Sequence, residues 1–143
     1  NVLQPLSALA SRGGGGAAPV ASVPFQKVSD SAGLDAAIAR AAAAGQPVLF
    51  DFYADWCVEC KRMEATTFAD AGVRAALEGF VLLKIDVTDQ TDEQEALQQR
   101  FGIIGPPATL FFSCVSDENR PLRLIGYEAA APFAERVQRA SNC

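Results

Sequence analysis

Two cysteines spaced by two residues, in Cys57-Val58-Glu59-Cys60, are the part of this chain best suited to chemistry. At the head of a helix, sulfurs at this spacing can close a small disulfide ring or open to a dithiol. The same spacing also serves as half of a zinc site, or as two buried cysteines without chemistry. Zinc would need two more ligands. The 143 residues contain no His, and the remaining cysteines, Cys114 and Cys143, do not form a second closely spaced pair, so no metal is expected. The lack of His also removes the usual general base and the usual Cys-His nucleophile pair. Four cysteines can pair in three ways, and the sequence does not choose among them.

Tyr53-Ala54-Asp55-Trp56 leads from an apolar run into Cys57, which places the first cysteine where a helix begins. There the helix dipole and unpaired N–H groups favour a thiolate. Cys57, on the exposed first turn, is expected to attack a partner disulfide, and Cys60, one turn on and more buried, to resolve the mixed disulfide. Such a cycle requires no metal or organic cofactor beyond the Cys57–Cys60 disulfide itself. Asp51, Glu59 and Glu64 oppose a Cys57 thiolate if ionised and close, whereas Lys61 favours one. A carboxylate at the centre of an apolar strand is costly. Asp51 is therefore read as a proton acceptor for Cys60, against the alternative of a hydrogen-bonded structural residue. Trp56 is expected to contact a partner, although an aromatic there could simply pack the strand-to-helix corner.

The elements that must hold these residues alternate along the chain. A short strand is predicted over Phe25–Val28 and a helix over about Ala32–Ala44, with Leu34, Ile38 and Ala41 on one face and Gly45 and Pro47 ending it. Val48–Tyr53 reads as a central strand covered on both sides, interrupted by Asp51. A helix follows from Cys57 through Met63 toward Phe68, with a second helical piece at Val73–Leu77. Phe80–Val87 is a buried strand, and Glu93–Phe101 a helix ended by Gly102. Ala108–Cys114 and Pro121–Ile125 are predicted to form an antiparallel hairpin about a polar turn at Ser116–Arg120, and Ala130–Ala140 closes the chain as a helix with Phe133, Val137 and Ala140 inward. The order implies an α/β fold with a mixed central β-sheet flanked by helices on both faces.

The first 24 residues differ in character. The run Gly13–Gly16, followed by Ala, Pro, Ser and Val, has the composition of a flexible tether over 1–24, leaving one domain over 25–143. Glycine runs can cradle phosphate, but no strand, helix or Lys-Ser/Thr pair accompanies this one. A start at Asn1, without a basic-plus-apolar leader, is what a piece of a longer protein would give. No apolar run approaches the roughly 20 residues needed to span a bilayer, and the piece is expected to be soluble and monomeric. With 12 basic and 17 acidic residues and no basic stripe, neither nucleic acid nor an anionic membrane is expected as a partner.

At Asp51-Phe52-Tyr53-Ala54-Asp55-Trp56-Cys57, together with Gly105-Pro106-Pro107, the chain resembles the thioredoxin family, and the resemblance extends over nearly everything from Phe25 onward. Within that family, Tyr53 to Lys61, Glu64, Thr67-Phe68 and Leu110-Phe111-Phe112 are similar to the C-terminal periplasmic domains of the DsbD family of transmembrane thiol:disulfide interchange proteins. The resemblance implies a thioredoxin fold in the periplasmic part of a bacterial inner-membrane protein. It implies a reductant that takes electrons from a membrane-embedded domain and passes them to an N-terminal periplasmic domain. By the same match, Pro107 is the cis-proline of the docking groove with Pro106 beside it, and Asp51 and Glu64 are the acidic pair near the sulfurs. Thr often follows that proline; here Ala108 does, so no hydroxyl is available there. Topology allows Cys114 and Cys143 to be neighbours far from Cys57, with either a structural disulfide or two free thiols as the outcome. The alternatives are another thioredoxin-like reductase, in cytochrome maturation or as a general thioredoxin, or a non-catalytic interaction module of the same fold.

Overall fold

The computed structural model describes residues 23–143; nearly all of the expected tether over 1–24 lies outside the described residues. β1 (Gln26–Lys27) is followed by α1 (Ser31–Ala43), β2 (Val48–Tyr53) and α2 (Val58–Arg62), which runs into a π-helical turn at Met63–Thr67. Then come α3 (Ala71–Ala76), β3 (Val81–Asp86), α4 (Asp92–Phe101), β4 (Ala108–Phe112), a 3-10 turn (Arg120–Leu122), β5 (Leu124–Ile125) and α5 (Ala130–Ala140).

The strands form one five-stranded sheet in the order β1-β3-β2-β4-β5. β2 runs parallel to β3 and antiparallel to β4, so the sheet is mixed. β2 is central and buried at all six positions, as a run apolar everywhere but at Asp51 requires. One face carries Phe50 and Phe52, which pack with Leu34 and Ile38 of α1 and Leu97 and Phe101 of α4. The other carries Leu49 and Phe111, packed with Met63, Phe68, Val73, Phe133 and Val137. The α/β thioredoxin architecture expected from the sequence is thus present, with helices on both faces. Side-chain oxygens cap α1, α3 and α4: Asp30 accepts from the Gly33 N–H (2.8 Å), Asp70 from Val73 (3.0 Å) and Thr91 from Gln94 (3.2 Å).

Two local expectations require correction. Strand pairing begins at Leu124 rather than Pro121, because Pro121 sits in the 3-10 turn, where its missing N–H costs no ladder bond. Arg123, just before the strand, is half-buried, donating to both Glu118 carboxylate oxygens (2.5 and 3.0 Å) and to the Phe101 carbonyl (2.7 Å). The helix expected from Cys57 toward Phe68 is α-helical for only its first part. Phe68 N–H then bonds the Met63 carbonyl (2.8 Å), the i→i+5 closure of a π turn. An α-helix would rotate Phe68 about 140° away from Met63; the wider turn reduces that angle, and both are buried in the same core cluster.

Candidate redox site

β2 delivers the chain through Tyr53 to Cys57, which occupies the N-cap of α2 with an extended backbone. Its sulfur accepts the Cys60 N–H at 3.1 Å, taking the role that a Ser or Asp oxygen plays at other helix starts. Cys57 and Cys60 are joined in a disulfide, with Cα atoms 5.2 Å apart. The expectation of an exposed Cys57 is corrected here. Both cysteines are buried, at 6 % and 3 % exposure, because the ring closes against Ala54 and the end of β2. Cys57 remains the more accessible of the two.

Asp51 is 6 % exposed at the middle of β2. Burial pushes its carboxyl from the ordinary 3.8 up to about 7; the nearby Lys84 ammonium works against that rise and Glu64 adds to it. The parallel register places Lys84 of β3 directly beside Asp51. Lys84 Nζ in turn donates to Glu64 at 3.0 Å and lies 4.7 Å from the ring centroids of both Phe25 and Tyr53. Asp51, Glu64 and Lys84 therefore act as one electrostatic group. A cleft of about 420 Å³, lined by Phe25, Lys61, Glu64, Phe68 and Lys84 among others, opens over it. Lys84 was not singled out from the sequence. The usable signal would have been the parallel pairing of its strand with that of Asp51.

The other charges expected near the sulfurs are engaged elsewhere. Lys61 donates to the Tyr53 hydroxyl (2.7 Å) and lies 3.9 Å from Asp55, while Glu59 pairs with Arg62 (3.4 Å). Trp56 is 56 % exposed, its indole N–H donating to the Thr88 carbonyl (3.1 Å), which fixes the ring outward. Val58 (77 % exposed) and Ile104 (101 %) adjoin the two motifs in sequence and were also missed, since single apolar residues carry no pattern. The Pro106–Pro107 peptide is cis, and the Pro107 carbonyl accepts the Gly126 N–H (2.9 Å). Cys114 and Cys143 are bonded to each other, Cα atoms 5.4 Å apart, outside this site. Among the described residues, no three His, Cys, Asp or Glu side chains group as metal ligands, and no helix is long and apolar enough to cross a membrane.

A disulfide-forming Cys-x-x-Cys at the head of a helix, set on a mixed sheet of this topology, defines a thioredoxin-fold thiol:disulfide oxidoreductase domain. The Thioredoxin-like family matches residues 30–113. The thiol:disulfide interchange protein DsbD of Ralstonia nicotianae is 45 % identical over 138 residues, which are 96 % of this chain and 22 % of that protein. DsbD 1 of Pseudomonas aeruginosa is 45 % identical over 118 residues, 82 % of this chain and 20 % of its own. The oxidised C-terminal domain of Neisseria meningitidis DsbD superposes with a TM-score of 0.69 at 34 % identity, covering 80 % of this chain and 99 % of that domain. The chain belongs to the thioredoxin-like family and, within it, to the C-terminal domains of DsbD proteins. It spans about a fifth of the length of the curated relatives it matches.

Proposed function

We propose that this domain is a periplasmic electron relay, receiving reducing equivalents from a membrane-embedded domain of its parent protein and delivering them to an N-terminal periplasmic domain. The observation that carries this reading is the match to DsbD C-terminal domains over a chain that retains a Cys57–Cys60 disulfide. In the delivering half-cycle, the Cys57 thiolate attacks one sulfur of the partner disulfide. A mixed disulfide forms, and the partner's other sulfur leaves as a thiolate that takes a proton. Cys60 gives its proton to the Asp51 carboxylate and attacks the Cys57 sulfur, which re-forms the internal disulfide and releases the partner's second thiol. Two electrons pass from the domain to the partner.

Asp51, with its affinity for a proton lifted to about 7, is suited to accept and return that proton near neutrality. Glu64 adds negative charge beside it and Lys84 limits the rise. Trp56, Pro106 and Pro107 form the docking edge, joined by the exposed Val58 and Ile104. Placement in the bacterial periplasm follows from the same family reading, and the composition of residues 1–24 suits a linker between this domain and the rest of its parent protein.

The test mixes the reduced domain with the oxidised N-terminal periplasmic domain of a DsbD relative and counts free thiols on each by mass-tag labelling. Fast, stoichiometric transfer supports the relay. Transfer no faster than that from free dithiothreitol would contradict it and favour a different thioredoxin-like reductase.

A further inference from the structure

The π turn that follows the redox helix is fastened from 61 residues away. Thr67, fully buried, donates its hydroxyl to the Glu128 carbonyl at 2.6 Å. The Glu128 N–H points at the Met63 sulfur at 3.5 Å, so a single residue meets both ends of the turn. Beside it, the Tyr127 hydroxyl lies 3.3 Å from that of Thr66, and the Arg62 guanidinium stacks 3.8 Å above the Tyr127 ring.

Glu128 is itself held. Arg136 of α5 grips both of its carboxylate oxygens (2.8 and 2.9 Å) and also donates to the Leu122 carbonyl (3.0 Å). The fork geometry leaves the Glu128 main chain little freedom. Glu64 is the second residue of the turn so fastened, and it is the residue whose carboxylate meets Lys84 beside Asp51. A π turn costs hydrogen-bond geometry and recurs at functional sites. Here it lets Met63, Thr67 and Phe68 all be buried while Glu64 stays at the edge of the cleft.

We propose that the Thr67–Glu128–Arg136 clamp sets the position of Glu64 in the redox site, making Thr67 and Arg136 positioning residues for disulfide exchange. The inference rests on the reading that Glu64 bears on the cysteine pair. When the clamp is released, the turn relaxes and the Glu64 carboxylate swings toward solvent. The charge opposing a Cys57 thiolate then weakens.

The experiment measures the rate at which iodoacetamide alkylates Cys57 in the reduced domain at pH 8, with the site of modification confirmed by mass spectrometry. Glu64→Gln is expected to raise that rate several-fold. Thr67→Val should raise it in the same direction by about half as much on a logarithmic scale, Thr67→Ser should restore the original rate, and Thr67→Val added to Glu64→Gln should change nothing further. Arg136→Met, read in the same way, guards against misfolding of Thr67→Val. A rise with Glu64→Gln and none with either clamp variant overturns the clamp while sparing the reading of Glu64. No change with Glu64→Gln overturns that reading and the clamp together, and an undiminished effect of Thr67→Val in the Glu64→Gln background shows that the clamp acts by another route and overturns the proposal.

Discussion

Replacing Asp51 by Asn should make the oxidised domain markedly more stable at alkaline pH, and by much less in acid. Asn keeps the shape of the side chain and removes its charge. Burial lifts the Asp51 carboxyl from 3.8 to about 7 in the folded chain. A carboxyl that holds its proton more tightly when folded contributes stability that is fully present below its unfolded value, near 3.8, and is lost as pH rises through about 7. Between pH 4 and pH 8.5, at about 1.4 kcal/mol for each tenfold change in proton affinity, wild type should lose about 4 kcal/mol relative to Asp51→Asn. Any hydrogen bond that Asn makes or loses is common to both pH values and cancels in this difference, as does the titration of the other carboxylates. Urea unfolding of both proteins at the two pH values, with all disulfides intact, gives the four free energies required. A stability gap that does not widen between pH 4 and pH 8.5, or that widens in favour of wild type, would refute the assignment of Asp51 as a carboxyl whose proton affinity is raised by burial.

Three further outcomes follow from the same geometry. Lys84→Met removes the cation that restrains Asp51, so the Asp51 titration, followed by carboxyl-carbon NMR, should move to higher pH by about 1. Replacing Cys114 and Cys143 together by Ser opens a loop with a sequence separation of 29, which should cost about 3 to 4 kcal/mol in urea unfolding and leave the rate of thiol exchange unchanged. Trp56→Ala should slow exchange with a protein disulfide by about tenfold without affecting exchange with oxidised glutathione, as measured by stopped-flow fluorescence of a labelled partner and by thiol release.

The elements that position the cysteines were legible because each carries a pattern that only one structure satisfies. Val48–Tyr53, apolar at every position but Asp51, becomes the six-residue central strand, and Phe133, Val137 and Ala140 recur at helical spacing and become the inner face of α5. What escaped depends on relations between distant segments. Lys84 reaches Asp51 only through the parallel register of β2 and β3, which no local periodicity encodes. The π turn differs from an α-helix in which carbonyl Phe68 selects, and the Thr67 hydroxyl within it bonds a carbonyl 61 residues away, a contact that no local periodicity encodes. Lys61 and Glu59 sit close to the sulfurs in sequence but have nearer partners in Tyr53, Asp55 and Arg62. Leu122 and Leu124 alternate around Arg123 as in a strand, yet the missing N–H of Pro121 suits the 3-10 turn that it and Leu122 occupy.

The most direct test of the account is the reduction potential of the Cys57–Cys60 couple, equilibrated against dithiothreitol or glutathione in a variant with Ser at positions 114 and 143. Acidic groups that oppose a Cys57 thiolate leave the dithiol without the stabilisation that makes a strong oxidant, so the account predicts a value nearer that of thioredoxin, about −270 mV, than that of DsbA, about −120 mV. A value close to the oxidising end would mean that Asp51 and Glu64 do not govern Cys57, and would contradict the assignment of this domain as an electron donor.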